Sequence, residues 1–130
     1  MFLFKRRPLL FILVGCMAAL THFLTVVFVV EELAIVPLEA NIIGWLCAFG
    51  VSYGGHYFLT FSDHSAPPLR SAIRFFLLSA TGFSINESAY ALLLHATVLP
   101  YYVSLAIILV AVATFTYLLS QRWAFQGTGP

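Results

Sequence analysis

Four long apolar runs alternate with short stretches in which nearly all the charge collects. A membrane-spanning helix needs about 20 mostly apolar residues, and each run meets that length. The first covers residues 9–30, opened by Lys5-Arg6-Arg7-Pro8 and closed by Glu31-Glu32. The second covers 40–61, after a turn around Pro37, and the third covers 72–94, after a polar linker over 62–71. The fourth covers 100–122 and leaves a short Gly/Pro-containing tail. β-Branched and aromatic residues are frequent, which in water would argue for strands. A lone segment in lipid must satisfy its own backbone, however, and the ten-residue alternation of a transmembrane barrel is absent. The pattern predicts an all-α membrane protein of four transmembrane helices.

Composition points the same way. Hydrophobic residues make up 62% of the 130 and charged residues 8%, against about 25% charged in soluble domains. Six basic residues cannot furnish a nucleic-acid face, so no nucleic-acid partner is expected. Their placement is informative: Lys5, Arg6, Arg7, Arg70, Arg74 and Arg122 all fall on one side of a four-span topology. The two opposite connections hold Glu31, Glu32 and Glu39 instead. The positive-inside rule then puts both termini and the central linker in the cytoplasm, in a multi-pass membrane protein.

Lys5-Arg6-Arg7 before an apolar run also suits a cleavable signal, and Leu13-Val14-Gly15-Cys16 looks like a lipoprotein processing site. The run continues to Val30, beyond the 7–15 residues of a signal's apolar region, so a retained first helix is expected. Cys16 and Cys47 lie in apolar runs and are read as free thiols packed as small hydrophobes. Gly50 and Gly54, with Ala48, Ser52 and Gly55, form a small-residue face on the second helix, for close packing in the bundle or for a homodimer.

The halves of the chain look related at an offset of 64. That shift lays Phe11-Ile12-Leu13-Val14 on Phe75-Phe76-Leu77-Leu78, Tyr53 on Tyr117, Phe61 on Phe125 and His22 on Asn86. A repeat of this kind is parallel, two helical hairpins related by an axis along the membrane normal.

Several stretches carry a family resemblance: Phe11-Ile12-Leu13-Val14-Gly15, Ala40-Asn41-Ile42-Ile43-Gly44, and Arg74-Phe75-Phe76-Leu77-Leu78 with Gly82 and Asn86-Glu87. The most specific is Tyr117-Leu118-Leu119-Ser120-Gln121-Arg122-Trp123-Ala124-Phe125. With these the chain resembles the GtrA-like family of small four-helix membrane proteins. One departure is Gly55-His56-Tyr57-Phe58-Leu59-Thr60-Phe61, which lacks the Arg and Trp of the corresponding ending in the second half. The resemblance implies a single GtrA-like domain with a role in cell-surface polysaccharide or glycolipid assembly. The role is either flipping of a polyprenyl-phosphate-linked sugar or assistance to a membrane glycosyltransferase.

Ionisable side chains inside a span are functional candidates by default. His22 and Glu87 both fall roughly 20 Å above the cytoplasmic ends of their helices at 1.5 Å per residue, close enough in height to pair. Asn41, Asn86, Thr21, Thr25, Ser84 and Ser88 surround that level, and a polar cavity opening outward is expected there, with interhelical hydrogen bonding as the plainer reading. Glu87 favours function, because a carboxyl group adds proton-linked chemistry that packing does not require. At the cytoplasmic ends, Arg74, Arg122 and Trp123 are candidates for a phosphate headgroup, since guanidinium groups bind phosphate oxygens in bidentate fashion. The same basic residues also set topology and meet anionic membrane lipids. His56 and His64 read as isolated, solvated side chains. No phosphate-binding Gly loop, metal cluster or soluble catalytic domain occurs, so no catalytic residue, cofactor or metal is expected and the chain is not read as an enzyme. A flippase is the leading expectation. The alternatives are an accessory subunit for a glycosyltransferase and a small proton-coupled exporter.

Overall fold

The computed structural model describes residues 2–60 and 68–126, with side chains described over 9–59, 69–70 and 72–115. It is all helical: α1 Phe2–Leu33, α2 Pro37–Gly55, α3 Pro68–Ala96 and α4 Tyr101–Gln126, with a π-helical turn, His56–Thr60, continuing α2. Among the described residues, two segments are long and apolar enough to cross a membrane, Leu9–Leu33 and Pro37–Leu59. Tyr101–Phe115 is apolar but shorter, and α3 has the length but carries Arg70, Arg74 and Glu87.

Local chemistry sets the helix ends. Ala34 adopts a left-handed backbone with φ of 55°, which stops α1. Val36 is extended, as a residue before proline prefers, and Pro37 opens α2, where its missing N–H costs no helical hydrogen bond. Pro68 opens α3 in the same way, so 68–71, expected as linker, are helical.

Each helix sorts its residues by face rather than by polarity. On α1, Val14, Ala18, His22, Val26 and Val29 are buried, while Leu13, Met17, Leu20, Leu24 and Phe28 are exposed. Large apolar groups turned outward and a histidine turned inward is the sorting that lipid imposes, because lipid tails are as apolar as leucine. Exposed hydroxyls on these helices are satisfied internally. Thr21, Thr81, Ser84 and Ser88 each donate to the carbonyl four residues back, at 2.8–3.0 Å, as a non-aqueous surround demands.

The chain of α2 runs back along α1 in the most extensive interface of the molecule. Two glycines permit the approach. A Cβ on Gly44 would lie 2.7 Å from Val26 Cγ2 and 2.9 Å from the His22 carbonyl oxygen, and one on Gly55 would lie 2.6 Å from Val14 Cγ1. Gly50 and Gly54, expected to pack in the bundle, have nothing within 4 Å of an added Cβ. The residues that pack are Gly44, Ala48 and Gly55. Cys16 and Cys47 are free but exposed, not buried.

The two ends of the bundle differ. At the loop end, where Ala34–Val36 and Thr97–Pro100 connect the helices, all four helices meet. Val26, Val29, Ala40, Tyr90, Leu105 and Ile108 form one buried core. The Tyr101 hydroxyl donates to Glu31 Oε1 at 2.6 Å and the Tyr90 hydroxyl to the Tyr101 carbonyl at 3.2 Å, tying α4 to α1 and α3. Toward the terminal end, α2 and α3 join through aromatic rings, whereas residues 110, 111, 113, 114 and 115 of α4 are exposed and only Val112 of that stretch packs against the core.

Candidate functional site

A buried polar hub lies just beneath the loop-end core, with Asn41 at its centre. Asn41 sits in the second turn of α2 and is fully buried, and Asn86 and His22 are buried at 5% and 6% exposure. Its side-chain nitrogen donates to Asn86 Oδ1 at 3.0 Å and to Glu87 Oε1 at 3.2 Å. Two acceptors on the nitrogen fix the amide's orientation, so Oδ1 faces His22 Nε2, 2.6 Å away. An amide oxygen only accepts, so the hydrogen lies on His22 Nε2, and a neutral imidazole keeps Nδ1 as an acceptor. One amide thus joins α1, α2 and α3, with both its nitrogen and its oxygen engaged. Close passage of α1 over Gly44 holds the His22 ring at this distance, with Cδ2 2.8 Å from where a Cβ would stand.

The sequence singled out His22, Asn41, Asn86 and Glu87, and the fold brings all four together. His22 and Glu87 do not pair directly; Asn41 stands between them. Arg74 is not part of this cluster: it is exposed, twelve residues before Asn86 and so about 18 Å away along α3. Among the described residues it has no ion-pair partner. The side chains of Arg122 and Trp123, like those of Lys5 to Arg7, lie outside the described residues, as does His64. No group of three metal-ligating side chains occurs among the described residues.

A cleft of about 190 Å3 continues from the hub toward the terminal end. Ala18, Ala19 and His22 of α1 form one side, Ser79 of α3 the other, and α2 from Trp45 to Ser52 the floor. The Trp45 indole enters between Phe83, stacked at 4.6 Å, and Phe76, tilted at 5.4 Å. Those two rings stand seven residues, about 10.5 Å, apart on one face of α3. Its Nε1–H donates to Ser79 Oγ at 2.7 Å. Trp45 is therefore the joint that fixes the cleft's width. Sequence reasoning missed it, because a tryptophan within an apolar run carries no polar signal. It also misplaced His56, which is buried, stacked on Phe11 at 4.8 Å and edge-on to Phe75 at 5.9 Å. His56 opens the π-helical turn, in the segment where the first half departs from the ending of the second.

An all-helical bundle with a polar interior and an apolar exterior is the architecture of a small membrane domain. A family model described as GtrA/DPMS, transmembrane domain, matches residues 10–125, and the chain belongs to that family. The family connects it with the handling of polyprenyl-phosphate sugars in a membrane. No curated protein and no solved structure matches the chain.

Proposed function

We propose that the protein carries a polyprenyl-phosphate-linked sugar across a prokaryotic cytoplasmic membrane for cell-surface polysaccharide or glycolipid synthesis, without catalysing a reaction. All four helices span the bilayer as two parallel-repeat hairpins, with the termini and the 61–67 connection in the cytoplasm. One-sided Lys and Arg placement supports this orientation. The observation that carries the reading is the Asn41 hub. Polar side chains from three helices converge at one level of an otherwise apolar interior, where they can exchange their mutual hydrogen bonds for those of sugar hydroxyls. Glu87 adds a group that can take up or release a proton as the headgroup passes. Arg74, Arg122 and Trp123 serve at the cytoplasmic ends, receiving the phosphate while the hydrocarbon tail stays in lipid.

The test is transbilayer movement of a polyprenyl-phosphate sugar in proteoliposomes containing this protein alone. Wild type should move it, Asn41→Leu should not, and Glu87→Gln, which keeps an acceptor oxygen for Asn41, should separate proton-linked from passive passage. Absence of movement above empty liposomes, with folded protein, would overturn the carrier.

A second reading has its own observation. The exposed face of α4 at 110, 111, 113, 114 and 115 suits a helix that packs against a partner, so a subunit supporting a membrane glycosyltransferase is the alternative. It requires co-purification with that enzyme and indifference to Glu87→Gln.

A further inference from the structure

We propose that the cleft beneath His22 is a binding pocket for a single monosaccharide ring, entered from the terminal end of the bundle. This rests on the carrier reading and adds where the sugar sits and how many rings fit. The position follows from chain direction. Trp45 and Ser52 lie four and eleven residues beyond Asn41 on α2, about 6 and 16 Å from the hub, and Ser79 lies seven residues before Asn86 on α3, about 10 Å from it. All are on the terminal-end side of the hub. The lining residues all come from α1, α2 and α3, so the cleft has three helical walls and an open side, whereas the loop end is closed by the core and by the Tyr101–Glu31 bond.

The lining fits a sugar better than it fits lipid or water. The methyl groups of Ala18 and Ala19 and the Phe49 ring offer apolar surface for the C–H faces of a pyranose. The polar groups are few and directed, as small-molecule pockets require. Ser79 Oγ accepts from Trp45 Nε1, which leaves its own hydroxyl hydrogen for a ligand oxygen. His22, with its Nε2 hydrogen turned to Asn41, has Nδ1 left as an acceptor for a ligand hydroxyl. Binding at His22 is then transmitted to Glu87 through a single amide. A volume of about 190 Å3 is below the roughly 300–1,000 Å3 of pockets for drug-sized ligands, which suits one ring between the walls.

The chain has two tryptophans; the unaltered protein is used, and the emission of Trp45, at the pocket wall, is taken as the part lost in Trp45→Phe. In detergent, this protein is titrated with geranyl-phosphate glucose, galactose and mannose, with geranyl phosphate lacking a sugar, and with the matching geranyl-phosphate disaccharides. At least one monosaccharide compound should give a saturable change in Trp45 emission. The sugar-free and disaccharide compounds should bind at least about tenfold more weakly. Ala19→Leu, which fills the cleft from α1, should weaken monosaccharide binding by a similar factor while leaving the unliganded emission and the helical circular dichroism unchanged. Equal response to geranyl phosphate alone, equal binding of the disaccharides, undiminished binding in Ala19→Leu, or no saturable response to any of the three sugars would each overturn the pocket. Saturable binding in a protein that moves no lipid in proteoliposomes would leave the pocket standing and remove the carrier. Movement that Ala19→Leu does not slow would do the reverse.

Discussion

The two halves of the chain bury equivalent positions with different residues. At the offset of 64, the six fully buried residues among those described form three pairs: Val26 with Tyr90, Ala40 with Ser104, and Asn41 with Leu105. His22 and Asn86, the next such pair, both bond to Asn41. The two halves thus share a pattern of burial at the loop end and differ in its chemistry. The second half puts Leu105 where the first has its hub, and Ile108 where the first has Gly44. Toward the terminal end even the burial diverges: Val14 is 4% exposed and its counterpart Leu78 is 73%. A symmetric frame at one end thus holds an asymmetric polar site, and the other end is left open on the side of α4.

The largest effect should come from deleting a shared buried position. Leu105→Ala, at a site with no exposure, should lower stability in detergent by about 2–5 kcal/mol through the cavity it leaves. Val110→Ala, on the same helix at 66% exposure, should change it by less than about 0.5 kcal/mol. Reversible unfolding in mixed micelles compares the two. Similar losses at both positions would mean that α4 is packed along its whole length, and the contrast between the ends would go.

Next comes the glycine that separates the tight α1–α2 pair from the less extensive α3–α4 contact. Gly44→Ala places a carbon against the His22 carbonyl as well as against side chains. It should cost about 1–3 kcal/mol and pull the imidazole away from Asn41. Gly50→Ala, with open space around it, should be neutral in the monomer. A loss at Gly50 matching that at Gly44 would show that Gly50 faces a second copy of the chain.

These two glycines also mark what the sequence could and could not disclose. Helix number, helix type and the four hub residues were legible, because lipid forces helices and makes an amide or ionisable side chain within an apolar run conspicuous. The packing glycine was not. Gly50 and Gly54 carry the recognised spacing, yet the approach falls at Gly44 and Gly55, which depends on how α2 is rotated. The repeat was only half legible for a related reason. Identities such as Phe11 with Phe75 survive on exposed or half-buried faces, while the buried pairs exchange Val for Tyr and Asn for Leu, so similarity is weakest where structural equivalence is strongest. The cleft depends on an indole sliding between two phenylalanines, a contact between helices that no local pattern encodes.

A smaller effect, of opposite sign, is expected at Ser104. It is fully buried and its Oγ has no hydrogen-bond partner among the described residues. Ser104→Ala gives the second half its counterpart's residue, Ala40, and removes a hydroxyl that was buried without compensation. The gain should be about 1 kcal/mol, read in the same micelle titration. A loss instead would show that the hydroxyl is satisfied, by water or by a residue outside those described, and that this pair differs by function as well as by size.

The smallest expected effect is at Gly82, the counterpart of Ala18. Ala18 is buried at 9% exposure, whereas a Cβ on Gly82 would meet nothing within 4 Å. Gly82→Ala therefore restores the first half's residue without the first half's contact. Its effect reduces to helix propensity, a gain of at most about 1 kcal/mol, and less in lipid, where the backbone is already held helical. Stability should rise slightly or not at all, and lipid movement should be unchanged. A clear loss of stability at protein concentrations that favour association, absent on dilution in detergent, would mean that another copy covers this face of α3. A loss independent of concentration would mean instead that α4 closes over α3 in the membrane, and that the terminal end obeys the repeat after all.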